Sequence, residues 1–413
     1  MISVEDALNQ ILEVIVPLGR EKVSILDSIG RVIGEDVYAS RNIPPKDNSA
    51  MDGYAVRWED TCNATVSKPV ILGVIEDIPA GTIPRKNIGA GESSRIMTGA
   101  PIPVGADAVV RVEDTERDGQ RVKVFVKVKE GQDIRPAGED IKEGELIISH
   151  GDVIRPAEIG MLAAVGRSFI SVYQRPLVAV VATGDEIVDI DGHPNPWQII
   201  SSNSYSLAAQ IMDCGGIPLQ IGIAKDKRDD LVAKFKEALR ADIVVSSGGV
   251  SVGDYDLVKD VMKEVGNRMQ FWQVAMRPGK PLAFGSMEGI PVFGLPGNPV
   301  SSMVAFEQFV RPSILKMMGY KNLFRRIVRA TLRDNITKKK GMRHFIRARV
   351  SYENGRYSAA TTGEQGSGML MSMVMANGLI ILPEYATSVK KGEEVSVQLI
   401  DRSCEQTSKT EYP

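Results

Sequence analysis

The stretch LVAVVATGDE, residues 177–186, decides the fold. Six apolar residues, Leu177–Ala182, run directly into Thr183-Gly184-Asp185-Glu186. An apolar run of strand length offers no face to water, so it reads as a strand covered on both sides. The same pattern recurs along the chain. Ser201–Asn203 offer caps for a helix through Met212 that Gly215-Gly216 closes, and Leu219–Ile223 is a second strand ending near Asp226. Leu231–Leu239 is a second helix, and Ile243–Val245 a third strand ending in Ser-Ser-Gly-Gly. A late strand, Ile290–Leu295, passes through Pro-Gly-Asn-Pro into a helix over Val300–Val310. Buried strands alternating with amphipathic helices predict a parallel α/β sheet over residues 175–323, with ligands at the carboxyl ends of its strands.

The flanking segments read differently. Ser3 caps an opening helix whose Ala7, Ile11, Leu12, Ile15 and Val16 share one face before the break at Pro17–Gly19. Residues 45–140 carry strand-like runs such as Val70–Val74 and Val122–Val128, with Asp118-Gly119 as a hairpin turn. A helical pattern returns at Pro156 with Ile159, Leu162, Ala163 and Val165, and stops at Gly166. We expect 1–44 and 141–174 to form one elongated N-terminal domain carrying 45–140 as an inserted β-rich module. From 324 to 413, Arg343–Tyr352 and Arg356–Thr361 flank Asn354-Gly355, and Leu379–Leu382 and Val395–Leu399 add strands, which reads as a small β-barrel or sandwich. The fold class is thus α/β plus β, in several domains, as 413 residues exceed one ordinary core.

Composition removes several function classes. A net charge of −2 with no long basic run gives no reason to expect nucleic acid, and Lys338–Lys340 reads as a solvated turn. Cys62, Cys214 and Cys404 fit neither a zinc spacing nor a disulfide framework, and His150, His193 and His344 are scattered. No apolar stretch is long enough to span a bilayer, and the first residues do not resemble a signal peptide. The expectation is a cytoplasmic protein with no membrane partner.

The chemistry concentrates at strand ends. SGGVSVGDYD, Ser247–Asp256, places Gly248 and Gly249 directly after a buried strand, where backbone N–H groups can cradle an oxyanion. Ser246, Ser247 and Ser251 add hydroxyls, and Asp254 and Asp256 could hold a divalent metal. A bare Gly-Gly is more often a turn with a capping Asp; the added serines and carboxylates favour a site. Glu186 and Asp226 end two further strands, and Mg²⁺ between Glu186, Asp226 and Asp256 would reconcile acidic strand ends with an anionic ligand. The opposite charge comes from MRPGKP, 276–281, where a Pro/Gly loop restrains Arg277 and Lys280. Pro296, Gly297, Asn298 and Pro299 precede a helix start bearing Ser301 and Ser302, equally readable as a rigid loop or an anion site.

Four of these segments in succession, VATGDEIV (181–188), SSGGVSVGDYD (246–256), MRPGKP (276–281) and GLPGNPVS (294–301), resemble the molybdenum-cofactor-binding domain of MoeA, gephyrin and the molybdopterin adenylyltransferases. NSAMDGYAV (48–56), MTGAPIPVGADAVV (97–110), IRPAGEDI (134–141) and TTGEQGSGMLMSMVMANGL (361–379) resemble the MoeA/gephyrin insertase type specifically. The resemblance covers essentially the whole chain. It implies a homodimer that inserts molybdate into adenylyl-molybdopterin with release of AMP, using Mg²⁺. It carries family function onto Asp52, Thr98, Arg135, Glu186, Asp226, Asp256 and Lys280, and the molybdate pocket onto Arg277, Lys280, Ser301, Arg347 and Ser367. Arg277 stands where similar proteins often carry Lys. As protein partners it implies the molybdopterin adenylyltransferase and recipient molybdoenzymes. A tungstate insertase, an adenylyltransferase and a gephyrin-like scaffold are the alternatives, although the adenylyltransferase domain and long linker of gephyrin are not found in this sequence.

Overall fold

The structure, a computed structural model, describes residues 1–249, 261 and 268–401. The chain divides into two units, Met1–Glu21 with Tyr173–Pro413, and Lys22–Val172.

The first unit is built on a six-stranded sheet in the spatial order 217–224, 177–183, 243–247, 290–295, 281–287, 268–273. The first four strands are parallel neighbours. These four form the parallel sheet that the sequence predicts, and the last two strands add to it antiparallel. Pro281–Met287 and Ile290–Leu295 are joined by only Glu288-Gly289, and a two-residue loop can build only an antiparallel pair. Val178 and Val180 face a core shared with Leu207, Ile211, Phe293 and Phe306. Ala179 and Val181 face the opposite core with Leu231, Phe235 and Val244. Every residue of this run therefore meets protein, which is why it carries no polar alternation.

The helix Ser202–Asp213 lies against the first core, and Arg228–Ala238 against the second. The helix after Asn298 runs over Pro299–Ala305, through a π turn at Phe306–Val310, into Arg311–Met317. The opening helix, Val4–Val14, also packs into this core through Val4, Ala7, Ile11 and the adjoining Ile15. Its cap is the expected one, with Ser3 Oγ accepting from Asp6 N at 3.0 Å. Val16 is instead 66% exposed, because the backbone turns extended at Ile15 and leaves the helical face.

Residues 327–399 close into a five-stranded barrel. Around the ring run Ile327–Leu332, Arg356–Thr361, Arg343–Glu353, Gly378–Leu382 and Glu394–Leu399, which pairs back to Ile327–Leu332. Closure leaves no free edge in the ring, and it settles barrel against sandwich. Asn354 and Gly355, at φ +52° and +76°, form the tight turn that their sequence predicts. The short strand Met276–Arg277 adds in parallel to Arg343–His344 and so joins the barrel to the loop before Pro281.

The second unit contains a six-stranded sheet ordered 108–111, 53–56, 92–96, 70–78, 121–124, 115–118. The Asp118-Gly119 hairpin forms, with Asp118 opposite Arg121. The strand expected over Val122–Val128 stops at Val124, since Val128 N turns away to donate to Thr61 Oγ1 at 3.1 Å. The helix Pro156–Ala164 packs through Leu162 against Ile33, Val37, Ile148, Ile154, Ile170 and Val172. Among the described residues no helix is long and apolar enough to cross a membrane.

Candidate active site

Cations and hydroxyls meet in one open cleft of the first unit. Its volume is about 470 Å³, and its lining includes Arg277, Lys280, Asn298, Ser301, Gln365 and Ser367 but, among the described residues, no carboxylate. Arg277 is held by its strand pairing with His344, and Lys280 by its carbonyl, which accepts from Val274 N at 3.1 Å. Ser301 is 5% exposed, in the first turn after Pro299, and the carbonyl of Ser367 accepts from Val300 N at 3.1 Å. Four of the five residues that the resemblance assigns to a molybdate pocket thus share one wall or another of this cleft. Such a lining suits a tetrahedral dianion.

Arg347, the fifth, is placed differently. It is 1% exposed, on the barrel face opposite Ile346 and Ala348 and covered by the 365–372 segment, and it does not line the cleft. Its guanidinium donates to Gly366 O and to Ser372 Oγ, both at 3.0 Å, and its backbone N–H to Gln365 Oε1 at 2.9 Å. Burial pulls its pKa down to about 10. Arg347 therefore braces the loop that presents Gln365, Gly366 and Ser367.

A second set of groups sits at the carboxyl ends of the parallel strands. Ser247 ends one strand opposite Leu295 of the next, and Gly248 N donates to Leu295 O at 3.1 Å. Gly248 has φ +97°, and a Cβ there would lie 2.6 Å from Thr183 O, so only glycine fits. Ser247 Oγ donates to Pro296 O at 3.5 Å and accepts from Asn203 Nδ2 at 2.7 Å. The Ser247–Gly249 and Pro296–Pro299 turns consequently lie side by side, with a Cβ on Gly297 only 3.7 Å from Gly248 Cα.

Two neighbouring strand ends bring carboxylates together. Asp185 N donates to Asp226 Oδ2 at 3.4 Å, and Asp226 N returns a bond to Asp185 Oδ1 at 3.3 Å. Glu186 folds back over Gly184. Asp226, Asp185 and Glu186 are exposed, with oxygens to spare for a hard cation. Among the described residues no three His, Cys, Asp or Glu side chains form a metal-holding cluster. Ser251, Asp254 and Asp256 lie outside the described residues, as does Cys404.

In the second unit, Asp52 and Thr98 meet directly although 46 residues apart, and Arg135 lies on an adjoining strand pair. Thr98 donates its N–H and its hydroxyl to Asp52 Oδ1, at 2.7 and 2.8 Å. These bonds, with the nearby Arg95 charge, hold the Asp52 carboxyl below its ordinary pKa. Asn48–Ser49 connects this pair to Arg135: Ser49 O accepts from Gly99 N at 2.8 Å, and Arg135 lies opposite Asn48 in a short antiparallel pair.

Two contributors escaped the sequence reading, while Asp185 belongs to the acidic strand end that the sequence marks. Asn203 is legible only as a cap, and Gln365 is one amide in a Gly/Ser-rich loop. No spacing signal distinguishes either of them.

Residues 2–166 match the family described as "MoeA N-terminal region (domain I and II)", 179–316 "Probable molybdopterin binding domain", and 329–400 "MoeA C-terminal region (domain IV)". Molybdopterin molybdenumtransferase 2 of Mycobacterium tuberculosis is 38% identical over 385 residues, spanning 91% of this chain and 94% of that protein. The molybdopterin molybdenumtransferase of Bacillus subtilis is 34% identical over 404 residues, spanning 97% and 94%. Among solved structures, a molybdopterin biosynthesis MoeA protein from Pyrococcus horikoshii superposes with a TM-score of 0.85 at 34% identity, covering 97% of this chain and 99% of that one. With its three family segments in order and relatives alike over nearly its whole length, the chain belongs to the MoeA family of molybdopterin biosynthesis proteins, the molybdopterin molybdenumtransferases.

Proposed function

We propose that this enzyme takes adenylyl-molybdopterin and molybdate, inserts the metal at the dithiolene and releases AMP. The observation that carries the reading is the cleft that joins Arg277, Lys280, Ser301 and Ser367. Arg277 and Lys280 hold the dianion, and the two hydroxyls donate to its oxygens. Most of the acceleration then comes from fixing the oxyanion beside the sulfurs rather than from covalent chemistry by the protein. The Ser247–Gly249 turn receives the phosphate side of the substrate, where absent side chains allow close approach of the backbone.

Asp226, with Glu186 and Asp256, would hold Mg²⁺, which when bound offsets the charge of the phosphoanhydride. The exposed Asp185–Asp226 pair fits that role. Asp52, Thr98 and Arg135 supply an ionised carboxylate, a hydroxyl and a cation to the same reaction in a homodimer. An adenylyltransferase delivers the substrate, molybdoenzymes receive the product, and the free dithiolene calls for a reducing compartment such as the cytoplasm.

The test is to supply purified protein with adenylyl-molybdopterin and either molybdate or tungstate, following AMP release and reconstitution of an apo-molybdoenzyme. Insertion with molybdate is the expected result. Consumption of ATP in place of the adenylylated substrate would move the chain to the adenylyltransferase reading, and a preference for tungstate would change the metal. Sedimentation as a monomer at working concentration would remove the dimer.

A further inference from the structure

Asn203 lies in the first turn of the helix Ser202–Asp213 and is 8% exposed. Its side-chain NH₂ donates to Ser247 Oγ at 2.7 Å and to Gly297 O at 2.8 Å. These acceptors lie in the turns after two neighbouring parallel strands, Ile243–Ser247 and Ile290–Leu295. A peptide carbonyl can only accept, so the contact with Gly297 fixes which end of the amide is nitrogen. Among the described residues its Oδ1 is buried without a partner. Thr183 Oγ1, on the strand end that packs against Gly248, is a second buried polar atom with no partner among the described residues.

Unpaired buried acceptors cost stability, and an apolar side chain would fill this space without that cost. Both bonds that the amide makes among the described residues are on its nitrogen side. There, alongside the Gly248 N–Leu295 O and Ser247 Oγ–Pro296 O bonds, it ties the Ser247–Gly249 turn to the Pro296–Pro299 turn and reaches Gly297, past the last paired residue Leu295. We propose that Asn203 is a positioning residue for the substrate, setting the separation of the two turns that receive its phosphate side and lead into the oxyanion cleft. This inference rests on the insertase reading of those turns.

The test compares Asn203→Ala with Gln210→Ala. Gln210 lies on the same helix, donates to the backbone of a neighbouring element (Met303 O, 3.2 Å), and also leaves its side-chain oxygen buried and unpaired. It touches neither turn, so it reports the purely structural consequence of losing such an amide. Two readouts are needed: the dissociation constant for AMP by calorimetry, and the KM for adenylyl-molybdopterin with kcat. Asn203→Ala is expected to weaken AMP binding and raise KM by about tenfold, the scale of one or two lost hydrogen bonds, with kcat within about threefold. Gln210→Ala should move the thermal midpoint and neither constant. Asn203→Ser keeps one donor and should retain part of the affinity, and it serves if the Ala variant does not fold. AMP binding equal to wild type in a folded Asn203 variant, or an equal loss in Gln210→Ala, would overturn the positioning role. AMP binding that depends on Asn203 in a protein that releases no AMP would instead overturn the insertase reading alone.

Discussion

Thr98 donates both its backbone N–H and its hydroxyl to a single carboxylate oxygen of Asp52. The pair keeps Asp52 ionised below its ordinary pKa of 3.8, with Thr98 the main cause and Arg95 a lesser one. The folded value is depressed, so the stability linked to Asp52 is present above the unfolded pKa and is lost only as the pH falls through the lower folded one. Thr98→Val deletes the hydroxyl alone. The Asp52 carboxyl should then titrate at a higher pH in a carboxyl-carbon NMR experiment, and the acid limb of the activity profile should move up with it. An unmoved Asp52 titration would show that the backbone bond is sufficient.

Lys280 lies in the oxyanion cleft and forms no ion pair among the described residues. Its ammonium is therefore available to a ligand, and a charge-assisted hydrogen bond is worth roughly 1.5–3 kcal/mol. Lys280→Ala should raise the molybdate concentration for half-maximal insertion about tenfold or more. Binding of the adenylylated pterin should change far less. Equal losses in the two titrations would place Lys280 on the pterin phosphate instead.

Arg347 is a buried cation with no carboxylate partner among the described residues, and its bonds run to Gly366 O and Ser372 Oγ. Replacing an unmatched buried charge by an apolar side chain of similar volume is often neutral or stabilising. Arg347→Met should thus leave the thermal midpoint nearly unchanged while loosening the loop that carries Ser367. The expected cost is about fivefold in oxyanion affinity, the size of one modest hydrogen bond of about 1 kcal/mol. A Met variant with wild-type affinity would show that the loop holds its shape unaided.

Glu307, 8% exposed, accepts from Arg325 Nε at 3.0 Å and lies 3.7 Å from Arg311 Nε, while Arg325 also reaches Asp213 at 3.3 Å. Glu307→Ala would leave both guanidinium groups half-buried with their shared carboxylate gone. Breaking such a pair costs roughly 3–5 kcal/mol, which should appear as a clear fall in urea midpoint. Insertion kinetics at low temperature should persist, because the network does not line the oxyanion cleft. An unchanged urea midpoint would show that water compensates the two arginines fully.

Much of the fold is written locally. Leu177–Thr183 is apolar because both sides are covered, and Asn354-Gly355 and Asp118-Gly119 are turns whose residues tolerate the required backbone. What escapes local reading depends on partners distant in sequence. Barrel closure requires Arg343–Glu353 to pair with Gly378–Leu382 along its first half and with Arg356–Thr361 along its second. At that change of neighbours Phe345 to Ala348 are all buried, so Arg347 is covered while Arg349, of the same parity, is exposed. Asn203 is hidden for another reason. An Asn at a helix start already has a sufficient local explanation in capping, yet its bonds run 44 and 94 residues along the chain.

The parallel pairing of Met276–Arg277 with Arg343–His344 makes the oxyanion cleft joint property of the α/β sheet and the barrel. One side supplies Arg277, Lys280 and Ser301, the other Met342, Gln365, Gly366 and Ser367. A chain ended near residue 323 would keep the glycine turn and the acidic strand ends but lose half of the cleft's wall and the backbone partner of Arg277. A bare α/β domain of this kind would thus lack Met342, Gln365, Gly366 and Ser367, one whole side of the cleft. The α/β domain and the barrel could therefore not be exchanged between relatives as independent cassettes without rebuilding this strand pair.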